Sequence, residues 1–220
     1  MADVQQVLCL SGGGYLGLYT AAVLAELEKI SGKPLHNTFN LLAGTSVGGI
    51  IALGLAAGTS AADIRDAFIE NGGAIFSELP PPQTDFCRFL DLRRNFKKAK
   101  YRSEPLRAVI EAIVGSQLLI GDLRQRTIVP SVNLTKGRPQ VFKTPHHPTF
   151  VRDLHLKVVD VALATSAAPA FFPIHQIGGE LFADGGLYAN SPDFLALHEM
   201  EFFLKVPVAR WSEPVDFLQE

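Results

Sequence analysis

Three glycine-bearing stretches hold the residues of this 220-residue chain best suited to chemistry. Residues 11–17 read SGGGYLG directly after the apolar run VLCL, and Gly12, Gly14 and Gly17 satisfy G-x-G-x-x-G. Amides gathered on such a loop can face the pyrophosphate of a dinucleotide or the negative oxygen of a reaction intermediate. Residues 44–48, GTSVG, satisfy G-x-S-x-G between a predicted strand and a predicted helix. In that context the pattern projects a serine hydroxyl from a sharp turn, and the helix amino terminus behind it favours the negative charge of acyl transfer. Outside that context Ser46 would be an ordinary capping serine.

A serine nucleophile needs a base. The six histidines are His36, His146, His147, His155, His175 and His198, and no motif surrounds any of them. His146 and His147 sit in PHHP, a proline-bounded turn expected to face solvent. A Ser-His-Asp triad stays open, with no histidine assigned to it. The better candidate is Asp184 in FADGGLYANSP, which ends an apolar strand ahead of two glycines. In open α/β sheets sites collect at the carboxyl ends of strands, where Ser46 also falls. Partial burial would raise the carboxylate above its ordinary value of about 3.9, and a short hydrogen bond to Ser46 would let it accept the proton. On its own, Asp-Gly is simply a turn.

Hydrophobic spacing supplies the elements that position these residues. Val4 to Leu10 reads as a strand, Leu16 to Lys29 as an amphipathic helix, and Phe39 to Ala43 as a second buried strand. IIALGLAAG continues from the serine motif as a buried helix ending at Gly58. Thr59 or Ser60 caps the next helix, ADIRDAFIEN, which Gly72 and Gly73 stop. Strand and helix thus alternate over the first 72 residues, the pattern of an α/β domain with a central, mostly parallel sheet. Residues 73–102 break it with Pro80, Pro81 and Pro82 and a basic stretch; Arg88 to Arg107 hold eight Lys or Arg against Asp91 and Glu104. Ser103 caps a helix through Val114. Thr127 to Leu134 and Pro139 to Phe142 flank TKGR as a hairpin. Lys157 to Thr165 is helical, Phe171 to Ile177 extended and Glu180 to Ala183 a strand. Ser191 with Pro192 behind it then starts the helix DFLALHEMEFFL.

Composition narrows the class. With 47% apolar and 19% charged residues the chain reads as one well-buried domain, and a net charge of −2 argues against DNA or RNA as a partner. Cys9, expected to be a buried free thiol, and Cys87 give neither a disulfide framework nor a metal site. The amino terminus lacks the charged and apolar regions of a signal peptide, and no apolar run is long enough to span a bilayer. The expectation is a soluble, cytoplasmic protein without metal or cofactor.

SGGGYLG, GTSVGG and DGG, in that order, resemble the patatin-like phospholipase family. ATSAAPAFFP at 164–173, KYRSEPL and VNLTKGRPQVF are similar to segments of that family too, so the resemblance runs from about residue 7 to residue 206. It implies a three-layer α/β/α fold, a Ser46–Asp184 dyad, and a Gly-rich oxyanion loop. Dinucleotide binding would instead want an acidic residue about 20 positions past the glycines, and no carboxylate lies between Glu28 and Asp63. The amides of Gly12, Gly13 and Gly14 are therefore expected to serve an oxyanion.

Two features depart from the family pattern. Leu16 stands where relatives carry Arg or Lys, and the chain ends in VPVARWSEPVDFLQE where relatives continue into another strand, so residues 207–220 read as a short tail. The resemblance implies a lipid acyl hydrolase that passes through an acyl-enzyme and works peripherally at the inner membrane face. The basic residues Arg93, Arg94, Lys97, Lys98 and Lys100, beside Phe86, Phe89, Leu90 and Leu92 in an insertion or lid over 73–102, would meet the membrane or a nucleotide. NSPDFLALHEMEFFLKVP is similar to effectors of bacterial anti-phage systems, which implies a cyclic oligonucleotide as activator. A silent patatin-fold sensor and a soluble esterase for small acyl esters are the alternatives.

Overall fold

A computed structural model describes residues 5–76 and 99–206. Its sheet begins with β1 (Val7–Leu10), β2 (Leu41–Gly44) and β3 (Thr127–Asn133), paired in parallel. The hairpin partner β4 (Arg138–Lys143) runs antiparallel to β3 through the expected TKGR turn. β5 (His175–Ile177) and β6 (Glu180–Asp184) complete a mixed sheet ordered β1-β2-β3-β6-β5. Within it β2 pairs with the start of β3 (Ala43 opposite Ile128) and β6 with its end (Asp184 opposite Ser131). β4 pairs along β3 from Ile128 to Asn133, so β2 and β6 share the other edge and approach each other end to end. Ser46 and Asp184 leave the sheet where those two strands meet.

The helices are α1 (Gly17–Ser31), the short α2 (Leu35–Thr38), α3 (Val47–Ala57), α4 (Ala61–Phe76), α5 (Ser103–Val114), α6 (Val158–Thr165), α7 (Gly186–Ala189) and α8 (Asp193–His198). Side chains alternate across β2. Leu42 joins the large core with Ile50, Ile51, Leu53, Ile64, Ile110 and Val129, whereas Leu41 and Ala43 pack with Ile128, Ala196 and Met200. The first set lies under α1 and α3 to α6, and the second under α8, which makes the three layers. α3 is buried on nearly every side, which is why its sequence is apolar without an amphipathic period.

Three boundaries differ from the sequence reading. α4 continues through Gly72 and Gly73 to Phe76, because tertiary packing outweighs the roughly 1 kcal/mol that each helical glycine costs. A Cβ at Gly72 would come within 3.3 Å of the Tyr15 ring, so the glycine makes room for that ring. Ser103 is the first residue of α5 rather than its cap, which is Arg102. The last helix is α only to His198 and widens into a π turn over Glu199–Phe203. Ser60 caps α4 as expected, accepting from the Asp63 amide at 3.1 Å.

Cys9 is half-buried rather than fully buried, and burial, with Asp193 beside it, pushes its thiol up to about 12. Cys87 and most of the 73–102 insertion, including Arg93, Arg94, Lys97 and Lys98, lie outside the described residues, as does the 207–220 tail. Among the described residues no helix is long and apolar enough to cross a membrane.

Candidate active site

Ser46 stands between β2 and α3 with φ 56° and ψ −125°, the backbone of the first central residue of a type II′ turn. A residue with a Cβ is strained there, by about 1–3 kcal/mol. Two close approaches hold the turn. A Cβ on Gly44 would come within 2.2 Å of the Gly48 carbonyl oxygen, and one on Gly48 within 2.3 Å of the Leu10 carbonyl oxygen. The flanking glycines of G-x-S-x-G are therefore steric requirements of the elbow. The Ser46 amide is pinned from a distant helix, donating to Thr165 Oγ1 at 3.0 Å, while Thr165 donates to the Pro130 carbonyl at 2.6 Å.

The Ser46 hydroxyl donates to Asp184 Oδ2 at 2.7 Å, and Asp184 Oδ1 accepts the Gly186 amide at 2.6 Å. Asp184 is buried at 6% exposure. Burial raises its pKa, and the hydrogen bonds from Gly186 and Ser46 oppose that rise without cancelling it. The pair can thus act as an activated hydroxyl and its base, since the carboxylate is aimed at the serine proton and its basicity is raised. Among the described residues none of the six histidines hydrogen-bonds Ser46 or Asp184.

The glycine loop divides its duties. The Gly12 amide donates to the Asn190 carbonyl at 2.9 Å, and the Asn190 side chain returns a bond to the Gly12 carbonyl at 3.3 Å. Gly12 is thereby removed from the expected oxyanion donors, because its single N–H is already spent on structure. Gly13 and Gly14 line the cavity beside Ser46, and their amides donate to no protein acceptor among the described residues. Gly14 has φ 56° and opens a 3-10 turn, Gly14–Leu16, that feeds α1. Free amides at the start of that helical run suit a negative oxygen.

The cavity over Ser46 measures about 480 Å³ and is mainly apolar among the described residues, with Leu18, Ile50, Phe68, Ile75, Leu106 and Phe172 in its walls. Tyr15, Phe171 and Leu187, each largely exposed, stand around it, and Leu16 beside them is 70% exposed. Tyr101, at the end of the insertion, also lines the cavity, and the Lys100 ammonium lies 5.6 Å from its ring centroid. Among the described residues no group of His, Cys, Asp or Glu is arranged to hold a metal ion.

The matching family completes this description. Residues 8–197 match the sequence family described as patatin-like phospholipase. The chain belongs to that family. A cGAMP-activated phospholipase of Pseudomonas aeruginosa (strain BWHPSA011 / Pa011) is 49% identical to this patatin-like chain over 201 residues, covering 90% of the chain and 57% of the relative. A cGAMP-activated phospholipase of Vibrio cholerae is 44% identical over 208 residues, covering 89% of the chain and 57% of the relative. Among solved structures, VipD from Legionella pneumophila is similar at TM-score 0.49 and 20% identity, over 84% of this chain and 46% of its own. The chain thus spans a little over half the length of the curated relatives it matches.

Sequence reasoning missed two residues of this patatin-like site. Thr165 lies in the ATSAAPAFFP block, and its hydroxyl is the only sign that it could anchor the Ser46 amide 119 residues away. Asn190 lies in FADGGLYANSP and orders the glycine loop from the opposite end of the chain. Thr165→Val should orphan the Ser46 amide at a cost of about 1–3 kcal/mol. We expect a lower urea midpoint and slower turnover for that variant, with both restored in Thr165→Ser; an unchanged midpoint in the valine variant would show that the anchor contributes nothing.

His146 is the other correction. It is not a solvated turn residue: its side chain is 3% exposed, with Nδ1 at 2.8 Å from Thr144 Oγ1 and Nε2 at 2.9 Å from Glu199 Oε1. Lys143 holds the other Glu199 oxygen at 2.5 Å. Burial pushes the Glu199 carboxyl up, and the bonds from His146 and Lys143 outweigh it, leaving the group below its ordinary value.

Proposed function

We propose that this chain is the catalytic portion of a phospholipid acyl hydrolase that a cyclic nucleotide switches on. The observation that carries the reading is the 2.7 Å bond from the strained Ser46 hydroxyl to buried Asp184, at the floor of an apolar cavity. Ser46 Oγ attacks the ester carbonyl while Asp184 Oδ2 takes its proton. The carbonyl oxygen gathers negative charge against the Gly13 and Gly14 amides. Collapse of the intermediate expels the lysolipid alcohol, which recovers the proton from Asp184, and leaves the acyl group on Ser46. Water then attacks the acyl-enzyme with Asp184 again accepting a proton; as the bond from the acyl carbon to Ser46 Oγ breaks, Asp184 returns that proton to Oγ and the free fatty acid leaves.

An apolar cavity suits a long acyl chain better than a small polar ester. Tyr15, Leu16, Phe171 and Leu187 at its mouth suit contact with a membrane surface, where aromatic and aliphatic side chains gain by leaving water. In this reading the patatin-like unit acts peripherally at the inner membrane face, and the basic insertion meets anionic headgroups. The switch follows the two relatives whose names describe activation by cGAMP.

Free fatty acid released from phosphatidylglycerol–phosphatidylethanolamine vesicles, with and without cGAMP, tests the reading. Release should require Ser46 and rise on addition of cGAMP. Hydrolysis of a short soluble ester with none from vesicles would mark a plain esterase, and no Ser46-dependent turnover of either would leave a silent fold.

A further inference from the structure

The opposite end of the sheet from Ser46 holds a second cavity, of about 570 Å³, within the range of about 300–1,000 Å³ typical of small-molecule sites. α2 and the segment after it, the approach to β3 and the turn after β4 form it. Its lining is mainly polar, the reverse of the cavity at Ser46, and no carboxylate is among the described residues that line it. Arg124 and Arg126 supply two guanidinium groups, and among the described residues neither pairs with a carboxylate. Asn37 and Asn40 add side-chain amides to the lining, and Asn40 is held by the Gln6 amide, which donates to its Oδ1 at 2.7 Å.

The walls are built. Gln125 donates to the Phe39 carbonyl and accepts from the Arg126 amide at 3.0 Å, which ties the two sides together. Thr144 Oγ1 accepts the Thr127 amide at 2.8 Å and contacts His146, and His146 is backed by buried Glu199. Two guanidinium groups that meet no carboxylate among the described residues, beside a fixed amide, match phosphodiesters and base edges within one small molecule.

We infer that this cavity takes up a cyclic dinucleotide, with Arg124 and Arg126 on its phosphodiesters and the Asn37 and Asn40 amides toward a base edge. The inference rests on the reading of the chain as a nucleotide-switched hydrolase and gives that switch its site. Two elements join this cavity to the serine across the depth of the fold. α3 starts at Ser46 and ends at Gly58, where the Arg124 amide donates to the Ala56 carbonyl at 2.9 Å. The Arg124 guanidinium lies so close over Gly58 that a Cβ there would meet it at 2.6 Å. On the other face, α8 and the π turn link Asn190, which holds Gly12, to Glu199, which holds His146. A ligand that moves Arg124 or His146 therefore pulls on elements that end at the nucleophile and at the glycine loop.

Titration calorimetry of the whole chain with cGAMP tests the site, using Arg126→Gln and Arg124→Gln/Arg126→Gln with folding checked by circular dichroism. Wild type should bind. The single variant should bind about tenfold more weakly, and the double variant at least a further tenfold, each factor of ten being about 1.4 kcal/mol. Affinity within twofold of wild type in both variants would overturn the assignment, as would a wild-type chain that binds no cGAMP. Cosedimentation with phosphatidylglycerol vesicles separates the other source of phosphate: weaker vesicle binding with unchanged cGAMP affinity would place the arginines on lipid and overturn the inference. Fluorophosphonate labelling of Ser46 in wild type reads the hydrolase separately. Intact nucleotide binding without labelling removes the hydrolase and keeps the site, while labelling with arginine-independent binding does the reverse.

Discussion

Ser46→Ala should give a folded protein that a fluorophosphonate no longer labels and that hydrolyses phospholipid about 10⁴- to 10⁶-fold more slowly than wild type. The size follows from what is lost. Without Oγ no acyl-enzyme can form, and the Gly13 and Gly14 amides have no tetrahedral intermediate to stabilise. Intact mass reports the outcome directly: one adduct on wild type and none on the variant. An adduct that persists in Ser46→Ala would move the nucleophile elsewhere. Ser46→Gly adds a check on the elbow. The backbone at φ 56° and ψ −125° is one that glycine adopts freely, so this variant should be equally inactive yet more resistant to urea than Ser46→Ala. Equal urea midpoints would mean that the elbow stores no strain.

Asp184→Asn should slow turnover by about 10²- to 10⁴-fold, the usual contribution of a positioned general base. The asparagine keeps the shape of the Ser46 and Gly186 contacts but cannot take up the serine proton. The raised pKa of Asp184 fixes two further signs. The proposed mechanism requires the carboxylate, so the wild-type rate should fall as the pH drops through a value above the ordinary carboxylate value of about 3.9, and that acid limb should be missing in the variant. Stability runs the other way. A folded pKa raised by burial means that the protonated form is the better-tolerated one. The stability tied to this group is then fully present below the unfolded pKa and lost as the pH rises through the folded pKa. At neutral pH Asp184→Asn should therefore melt higher than wild type, and the gap should close in acid. A variant that melts lower at neutral pH would mean that the hydrogen bonds outweigh burial.

The elbow and the aspartate turn were legible because their geometry is local. Gly44, Ser46 and Gly48 span five residues, and the close approaches to Gly48 and Leu10 make that spacing obligatory. Asp184 ends a strand whose apolar residues, Phe182 and Ala183, are visibly core. The order of helices and strands was readable for the same reason, since burial imposes the period of each element on its own sequence. Element ends were less so. Gly72 and Gly73 look like a stop until the Tyr15 ring is seen packing against that stretch, and nothing near residue 72 carries that information.

By itself, then, the sequence singled out Ser46 and Asp184 as candidates and set an α/β domain by its alternation of strands and helices, while the family resemblance supplied the three layers. Tertiary structure alone decided that β2 and β6 meet end to end along one edge of β3, which brings Ser46 to within 2.7 Å of Asp184 across 138 residues. It also decided that Asn190 occupies the Gly12 amide while Gly13 and Gly14 line the cavity beside Ser46, and that His146 is buried against Glu199. The physical reason is the range of the interactions. A turn or an apolar period is set by sterics within a few residues, whereas a hydrogen bond between distant segments depends on register and packing summed over the whole core.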